Sequence, residues 1–226
     1  MSKQNVLIFG GTSGTGLGAA SVLVKRGDGV TVAVRESSDT SALQELGVKT
    51  VLANVFDTGS VAQVMAAEDY TAVVISLSGE KGVERRADRE GAIVIIDAAK
   101  AVGIKRVLMV TAIGCGESKA AVAPKVIEVL GEVLTAKEVA EEHLMASGLE
   151  ATLVRPGGLT NDPASGTAIK TTDQMVMGVA NRADVGALVV ECIDEPETIG
   201  GIYHTVDPEI KWEAPLQRGD DSHHRN

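Results

Sequence analysis

Val6-Leu7-Ile8-Phe9-Gly10-Gly11-Thr12-Ser13-Gly14-Thr15-Gly16 is the stretch on which the fold turns. The apolar run reads as a buried strand and the glycines as a tight turn. Leu17 to Lys25 reads as a helix that starts at about Gly14. Strand, glycine turn and helix in this order can hold the pyrophosphate of a dinucleotide. Glycine lets the backbone approach the phosphates with no Cβ in the way. The helix start offers free N–H groups and the positive end of its dipole. Gly10, Thr12, Ser13, Gly14, Thr15 and Gly16 are therefore expected to bind the cofactor.

The next strand bears on which nucleotide is held. Gly29-Val30-Thr31-Val32-Ala33-Val34 is β-branched and almost wholly apolar, as a parallel strand buried on both faces should be. A site for NAD places an acid at the end of this strand, about 20 residues beyond the glycines, to accept from the ribose 2′-hydroxyl. Here Arg35 stands there, and a guanidinium suits a 2′-phosphate. Ser37 and Ser38 follow with hydroxyl donors. Glu36 would serve an NAD ribose if the strand ended one residue later. The expected cofactor is NADP(H).

The composition is that of one α/β domain. A chain of 226 residues is long enough for one substantial core and short for two. Its apolar share of 44% comes from Val, Ala, Ile and Leu, since aromatics make up only 2%; this suits a parallel sheet under Ala-rich helices. No apolar run reaches the roughly 18 residues of a membrane span. Met1 to Asn5 lead straight into the first strand with no apolar leader. Cys115 and Cys192, far apart in sequence, read as reduced thiols, and a cytoplasmic location is expected. The net charge of −10 speaks against nucleic acid or an anionic membrane as the main partner. No metal site is expected: His223 and His224 would make at best a weak one.

Further β-type runs recur near 48–53, 72–77, 106–110, 150–154 and 202–206. Helical patterns lie near 58–67, 86–102, 124–147 and 182–194. About seven strands joined by helical crossovers predict a Rossmann-type, doubly wound, mainly parallel sheet with helices on both faces. The domain is expected over 1–206. Gly103 and Gly148 look like helix C-caps. Residues 157–180 break the pattern with Gly, Pro, Asn, Asp, Ser and Thr, and are expected to cover the substrate site. A polar tail is expected over 207–226. It holds Trp212, which would pin it to the body or to another subunit, and an Arg218-Gly219-Asp220 triplet read as chance.

The glycine motif resembles that of the short-chain dehydrogenase/reductase superfamily. Three later stretches are similar to its atypical, NmrA-like branch: Arg155-Pro156-Gly157-Gly158-Leu159, Asn181-Arg182-Ala183-Asp184-Val185-Gly186, and Lys137-Glu138-Val139-Ala140-Glu141-Glu142 before Ser147-Gly148-Leu149. The resemblance spans about residues 4 to 206. Phe9-Gly10, Val30 through Arg35-Glu36-Ser37-Ser38, and Val110-Thr111-Ala112 resemble the biliverdin-IXβ reductases, also called flavin reductases. The resemblance implies that Asn54 and Val55 lie near the adenine, though Asn54 would equally cap a turn. It implies Leu77, Ser78 and Gly79 beside the cofactor ribose, Lys137 on ribose hydroxyls, and Thr111 near the nicotinamide. Pro156, Gly157, Gly158 and Leu159 would meet the carboxamide through backbone groups.

The chain also departs from the superfamily. Its common oxidoreductases use a Tyr and, four residues on, a Lys that lowers the phenol's pKa. Lys137 occupies the Lys position, but Val133 stands at that of the Tyr. Tyr70 and Tyr203 lie outside this helix. Thr111 replaces the usual Ser, and Gly157 and Gly158 occupy a region where the related reductase often has His. A secondary-alcohol dehydrogenase is therefore not expected. A reductase of a conjugated acceptor (flavin, linear tetrapyrrole or quinone) needs no such donor, because the product takes its proton from solvent. Thr111 and Lys137 are its candidate catalytic residues. Two alternatives stand beside it: a non-catalytic NADP(H)-binding sensor with a protein partner, and an epimerase or isomerase using another base. Proton carriers for the latter would be Lys137, Asp162 or Glu141; His143 and His204 read as structural. Met145 reads as core filler, and Met175 and Met177 as pocket lining.

Overall fold

A computed structural model describes residues 3–211. Trp212, the Arg218-Gly219-Asp220 triplet, His223 and His224 lie outside the described residues. β1 (Asn5–Phe9) passes through the glycine turn into α1 (Gly14–Arg26), and β2 (Gly29–Val34), α2 (Ser41–Glu45), β3 (Lys49–Leu52) and α3 (Thr58–Met65) follow. Then come β4 (Ala72–Ile75), α4 (Ala92–Val102), β5 (Arg106–Val110), α5 (Pro124–Ala146) and β6 (Glu150–Pro156). Three short strands, β7 (Gly158–Thr160), β8 (Ile169–Thr171) and β9 (Val179–Asn181), precede α6 (Arg182–Asp194) and β10 (Ile202–Val206).

The main sheet has eight strands in the order β3-β2-β1-β4-β5-β6-β10-β8. All neighbours are parallel except β8, which runs antiparallel to β10. The expected doubly wound, mainly parallel sheet is what forms. Side chains alternate along each strand. On β1, Leu7 and Phe9 enter the core under α3, α4 and α5, while Val6 and Ile8 enter the core under α1, α2 and α6. Burying each such side chain stabilises by about 1.5–3 kcal/mol, and two covered faces explain the near-absence of polar residues from the central strands.

The chain leaves β1 toward β2 on one side and toward β4 on the other. This reversal opens a crevice beyond the carboxyl ends of the strands. Gly10 stands at its base with φ +85°, and a Cβ there would lie 2.2 Å from the Ser76 carbonyl oxygen. Only glycine meets both conditions. A second close approach joins α1 to α6: a Cβ on Gly186 would stand 2.5 Å from the Ala19 backbone nitrogen. The starts of the two helices are thus held side by side.

Several expectations change. The segment 157–180 is more regular than its composition suggests, since β7 pairs with β9 and β8 extends the main sheet. The helix expected from about 86 opens as a wide π turn over Ala87–Gly91. Arg86 and Asp88 lie at its start. They form a buried two-bond ion pair at 3.0 Å, and Arg86 also reaches Glu132 at 2.8 Å. Asp207, expected to begin the tail, is 2% exposed, and its carboxylate accepts from Thr167 and Ser165. Those hydroxyls hold its pKa low, against the cost of burial. Met145, expected in the core, is exposed at the end of α5. Gly103 and Gly148 do take left-handed backbone at helix ends, with φ of +85° and +80°.

Cys115 and Cys192 are free and buried. Burial pushes their pKa values up to about 12 and about 11. Neither is a ready thiolate nucleophile near neutral pH. No helix among the described residues is long and apolar enough to cross a membrane.

Candidate functional site

The crevice widens into a cleft of about 660 Å³, within the range of small-molecule sites. Its floor is the glycine turn: Gly10, Thr12, Ser13, Gly14 and Thr15 line it. Gly16 lies behind, where a Cβ would meet the Gly10 carbonyl at 2.2 Å. Ser13 caps α1 without a side-chain bond, and no acid stands in the first turn. Leu17 N–H to the Ser13 carbonyl, at 3.2 Å, is the first bond of the helix. The amides before it have no partner within the helix and can face an anion. An extended ligand with central phosphates fits this floor.

One end of the cleft is reached by Arg35, Asn54 and Val55. Arg35 follows β2; its side chain is exposed, and its backbone N–H bonds Ser38 Oγ at 3.1 Å. Ser37 opens onto an adjoining recess shared with Arg35, Glu36 and Ser60. Asn54 Oδ1 accepts from Phe56 N–H at 3.0 Å, so its side chain caps a turn at the wall of the cleft. Leu77, Ser78 and Gly79 form the middle wall, together with Ser76 and Glu80.

At the other end stand Val110, Thr111, Lys137 and Leu159. Lys137 projects from α5, buried, and Nζ donates to the Leu77 carbonyl at 2.9 Å. Desolvation holds its pKa below the ordinary lysine value, although Asp88 works the other way. The Thr111 hydroxyl donates to Glu141 Oε1 at 2.5 Å. Glu141 also accepts two bonds from Arg155, Nε to Oε1 at 3.0 Å and Nη2 to Oε2 at 2.6 Å. All three residues are buried. Burial alone would lower the Arg155 pKa, but the bonded carboxylate raises it overall. Arg155 Nη1 reaches Gln174 Oε1 in the 157–180 segment at 2.9 Å.

Some expected residues lie elsewhere. Of Pro156, Gly157, Gly158 and Leu159, only Leu159 lines the cleft. The Gly157 and Gly158 amides serve the Thr205 and Gly178 carbonyls, and the Pro156 carbonyl accepts from Ile113. Asp162 is exposed and lies outside the lining, as do Tyr70, Tyr203 and Val133. Glu141 sits behind Thr111, neutralised by Arg155, and is not a free proton carrier. His143 pairs with Asp97 at 2.7 Å on the surface. His204 is fully buried, Nδ1 lies 2.9 Å from the Val176 carbonyl, and burial lowers its pKa. Met175 is exposed, and Met177 packs with Val206 and Ile113 away from the cleft.

Among the lining residues that sequence did not single out as ligands are Phe56 and Arg182. Arg85 lies over the Phe56 ring, 4.8 Å from its centroid. Arg182 lay in plain sight in the Asn181–Gly186 stretch. What sequence could not show is the packing of α6 on α1 that brings it to the turn.

Comparison with known proteins bears on the family of the chain. The model of a family described as NAD(P)H-binding matches residues 10–196. The chain is 34% identical over 170 residues to the uncharacterized sugar epimerase YhfK of Bacillus subtilis, covering 73% of this chain and 76% of that one. It is 27% identical over 226 residues to an uncharacterized chloroplastic protein of Arabidopsis thaliana, covering 95% and 80%. Among solved structures, ChuY of Escherichia coli O157:H7, described as an anaerobillin reductase, superposes with a TM-score of 0.82 at 26% identity, covering 92% of this chain and all of that one. The likeness to the atypical dehydrogenase/reductase branch read from the motifs is borne out by these neighbours.

Proposed function

This chain belongs to the NAD(P)H-binding family, and from that premise we propose that it is an NADPH-dependent reductase of a conjugated acceptor: a flavin, a linear tetrapyrrole or a quinone. The observation that carries the reading is the bonding of Thr111. Its hydroxyl is the polar side chain at the reacting end, and its proton is already directed to Glu141 Oε1 at 2.5 Å. Lys137, the nearest cation, donates to the Leu77 carbonyl. Neither is arranged as the proton donor that a simple carbonyl needs during reduction. A conjugated acceptor spreads the incoming charge and takes its proton from water.

Each part of the cleft has a role on this reading. Arg35 pairs with the 2′-phosphate and sets NADPH above NADH. The amides at the start of α1 hold the pyrophosphate. Lys137 bonds a ribose hydroxyl while the Leu77 carbonyl fixes its position. When bound, the nicotinamide supplies the hydride. Val110, Leu77 and Leu159 supply apolar walls that exclude water and align the acceptor. Neither Thr111 nor Lys137 is placed to protonate the reduced acceptor, so its proton would come from solvent. The likeness to ChuY, an anaerobillin reductase, at 26% identity supports a reductase of the tetrapyrrole kind.

The test is oxidation of NADPH by the purified protein, followed by loss of reduced-nicotinamide absorbance. The panel is FMN, riboflavin, quinones and biliverdin, with NADH in parallel. Turnover with one class is expected. Tight NADPH binding with no turnover on any acceptor would overturn the reductase reading in favour of a sensor. An epimerase, which the name of the Bacillus subtilis relative suggests, would convert a sugar nucleotide without net oxidation of NADPH.

A further inference from the structure

We propose that Arg182 is a ligand of the cofactor pyrophosphate and ties it to the segment beside the acceptor; this rests on the nucleotide reading above. Arg182 is the first residue of α6. Because Gly18 and Gly186 let α6 lie directly on α1, its side chain crosses the start of α1. Its Cδ and Nε stand 3.2 and 3.5 Å from the place a Cβ on Gly14 would take. Any larger residue at 14 would push it away. The guanidinium therefore lies beside the unpaired amides of the glycine turn, on the wall of the cleft.

Its bonding leaves capacity for an anion. Nη1 donates to the Leu159 carbonyl at 3.2 Å and to Asn161 Oδ1 at 3.0 Å. A guanidinium has five N–H donors, and among the described residues Arg182 meets no carboxylate within ion-pair distance. Several neighbouring cations are matched: Arg86 by Asp88 and Glu132, Arg155 by Glu141. In a chain of net charge −10, two arginines of the cleft, Arg35 at one end and Arg182 over the turn, thus meet no carboxylate among the described residues. NADPH carries anionic charge at two corresponding points, the 2′-phosphate and the pyrophosphate. Leu159 also lines the acceptor end. Arg182 bonded to both pyrophosphate and Leu159 would make a bound nucleotide brace the acceptor's wall.

The two arginines are separable by ligand. The Kd values of NADPH, NADH and 2′-AMP are measured calorimetrically for the wild type, R182Q and R35Q. A charge-assisted pair implies that R182Q weakens both NADPH and NADH by about tenfold or more, leaving 2′-AMP, which has no pyrophosphate, within about twofold. R35Q should weaken NADPH and 2′-AMP but not NADH. Hydrogen exchange adds a second reading: NADPH should slow exchange at 158–161 in the wild type, and not in R182Q at matched saturation. The proposal is overturned if R182Q binds NADH like the wild type, or loses 2′-AMP as strongly as NADPH. A wild type that binds none of the three would instead defeat the nucleotide reading itself. If R182Q does not fold, R182K serves. One ammonium cannot both hold Leu159 and Asn161 and fork onto a pyrophosphate, so NADH binding by R182K equal to that of the wild type would also overturn it.

Discussion

Replacing Glu141 by alanine should cost more than any other single change near the reacting end. Its carboxylate accepts three bonds, two from Arg155 and one from Thr111, and all three residues are at most 6% exposed. Removing it leaves the Arg155 guanidinium buried, with Gln174 as a neutral partner. Breaking a buried pair on one side costs about 3–5 kcal/mol, mostly the penalty of the stranded charge. A protein of this size has roughly 5–15 kcal/mol in all, and each kcal/mol moves the midpoint by about 2–4 °C. E141A should therefore melt roughly 6–20 °C below the wild type by calorimetry. The double variant Glu141→Leu with Arg155→Met removes both charges and keeps the volume, so it should recover most of the loss. A single variant that melts within about 3 °C of wild type, or a double variant no better than the single, would refute the claim that stranded charge is the cause.

Three more outcomes follow from the same geometry. Arg35→Glu should weaken NADPH by more than about tenfold and spare folding, because the side chain is exposed; unchanged NADPH affinity in titration would remove the 2′-phosphate assignment. Lys137 has a folded pKa below 10.5 because it is buried. Between that lowered value and 10.5 the unfolded chain binds more protons, so stability should rise with pH across the window. Lys137→Met should flatten this rise in urea midpoints measured against pH; an equal slope in both proteins would assign it to another group. Gly186→Leu forces a side chain into the Ala19 backbone, where a Cβ alone stands 2.5 Å from nitrogen. It should cost on the order of 1–3 kcal/mol or more and weaken nucleotide binding with it; a variant of wild-type stability would mean the helices part freely.

What the sequence made legible was set by local chemistry. The apolar run of β1 and its glycines have no other economical reading, and Arg35 announces itself by replacing an expected acid. Long helices also show, since α5 and α6 begin and end within a residue or so of their expected bounds. Three-residue strands do not. Ile169-Lys170-Thr171 is too short for alternation to register, and it becomes a strand only because β10 offers a free edge. The π turn at 87–91 was hidden because helical periodicity does not register a one-residue widening, and the Arg86–Asp88 ion pair at its start is visible only in the fold. Asp207 looked like tail because its partners, Ser165 and Thr167, lie about forty residues away. The same holds for Arg182: its sequence position is ordinary, and its placement is the product of two glycines on two helices.

The chemistry turns on two substitutions read together. Val133 removes the phenol that a lysine at position 137 would ordinarily activate; on the proposed reading this leaves Lys137 as a binding group. Thr111 keeps a hydroxyl at the same end of the cleft, but it donates its hydrogen bond to Glu141, so toward the cleft that hydroxyl presents a lone pair. A lone pair accepts: it suits an N–H or O–H on the ligand and does not suit a carbonyl oxygen that gains charge as it is reduced. Restoring the phenol at 133 alone would therefore not restore carbonyl reduction, because the neighbouring hydroxyl would still point its proton at Glu141. Only Val133→Tyr together with Glu141→Leu and Arg155→Met, which removes the acceptor of the Thr111 hydrogen bond without stranding a charge, frees both groups. Gain of activity on a simple ketone by the triple variant, and not by V133Y, is what this account of the site requires.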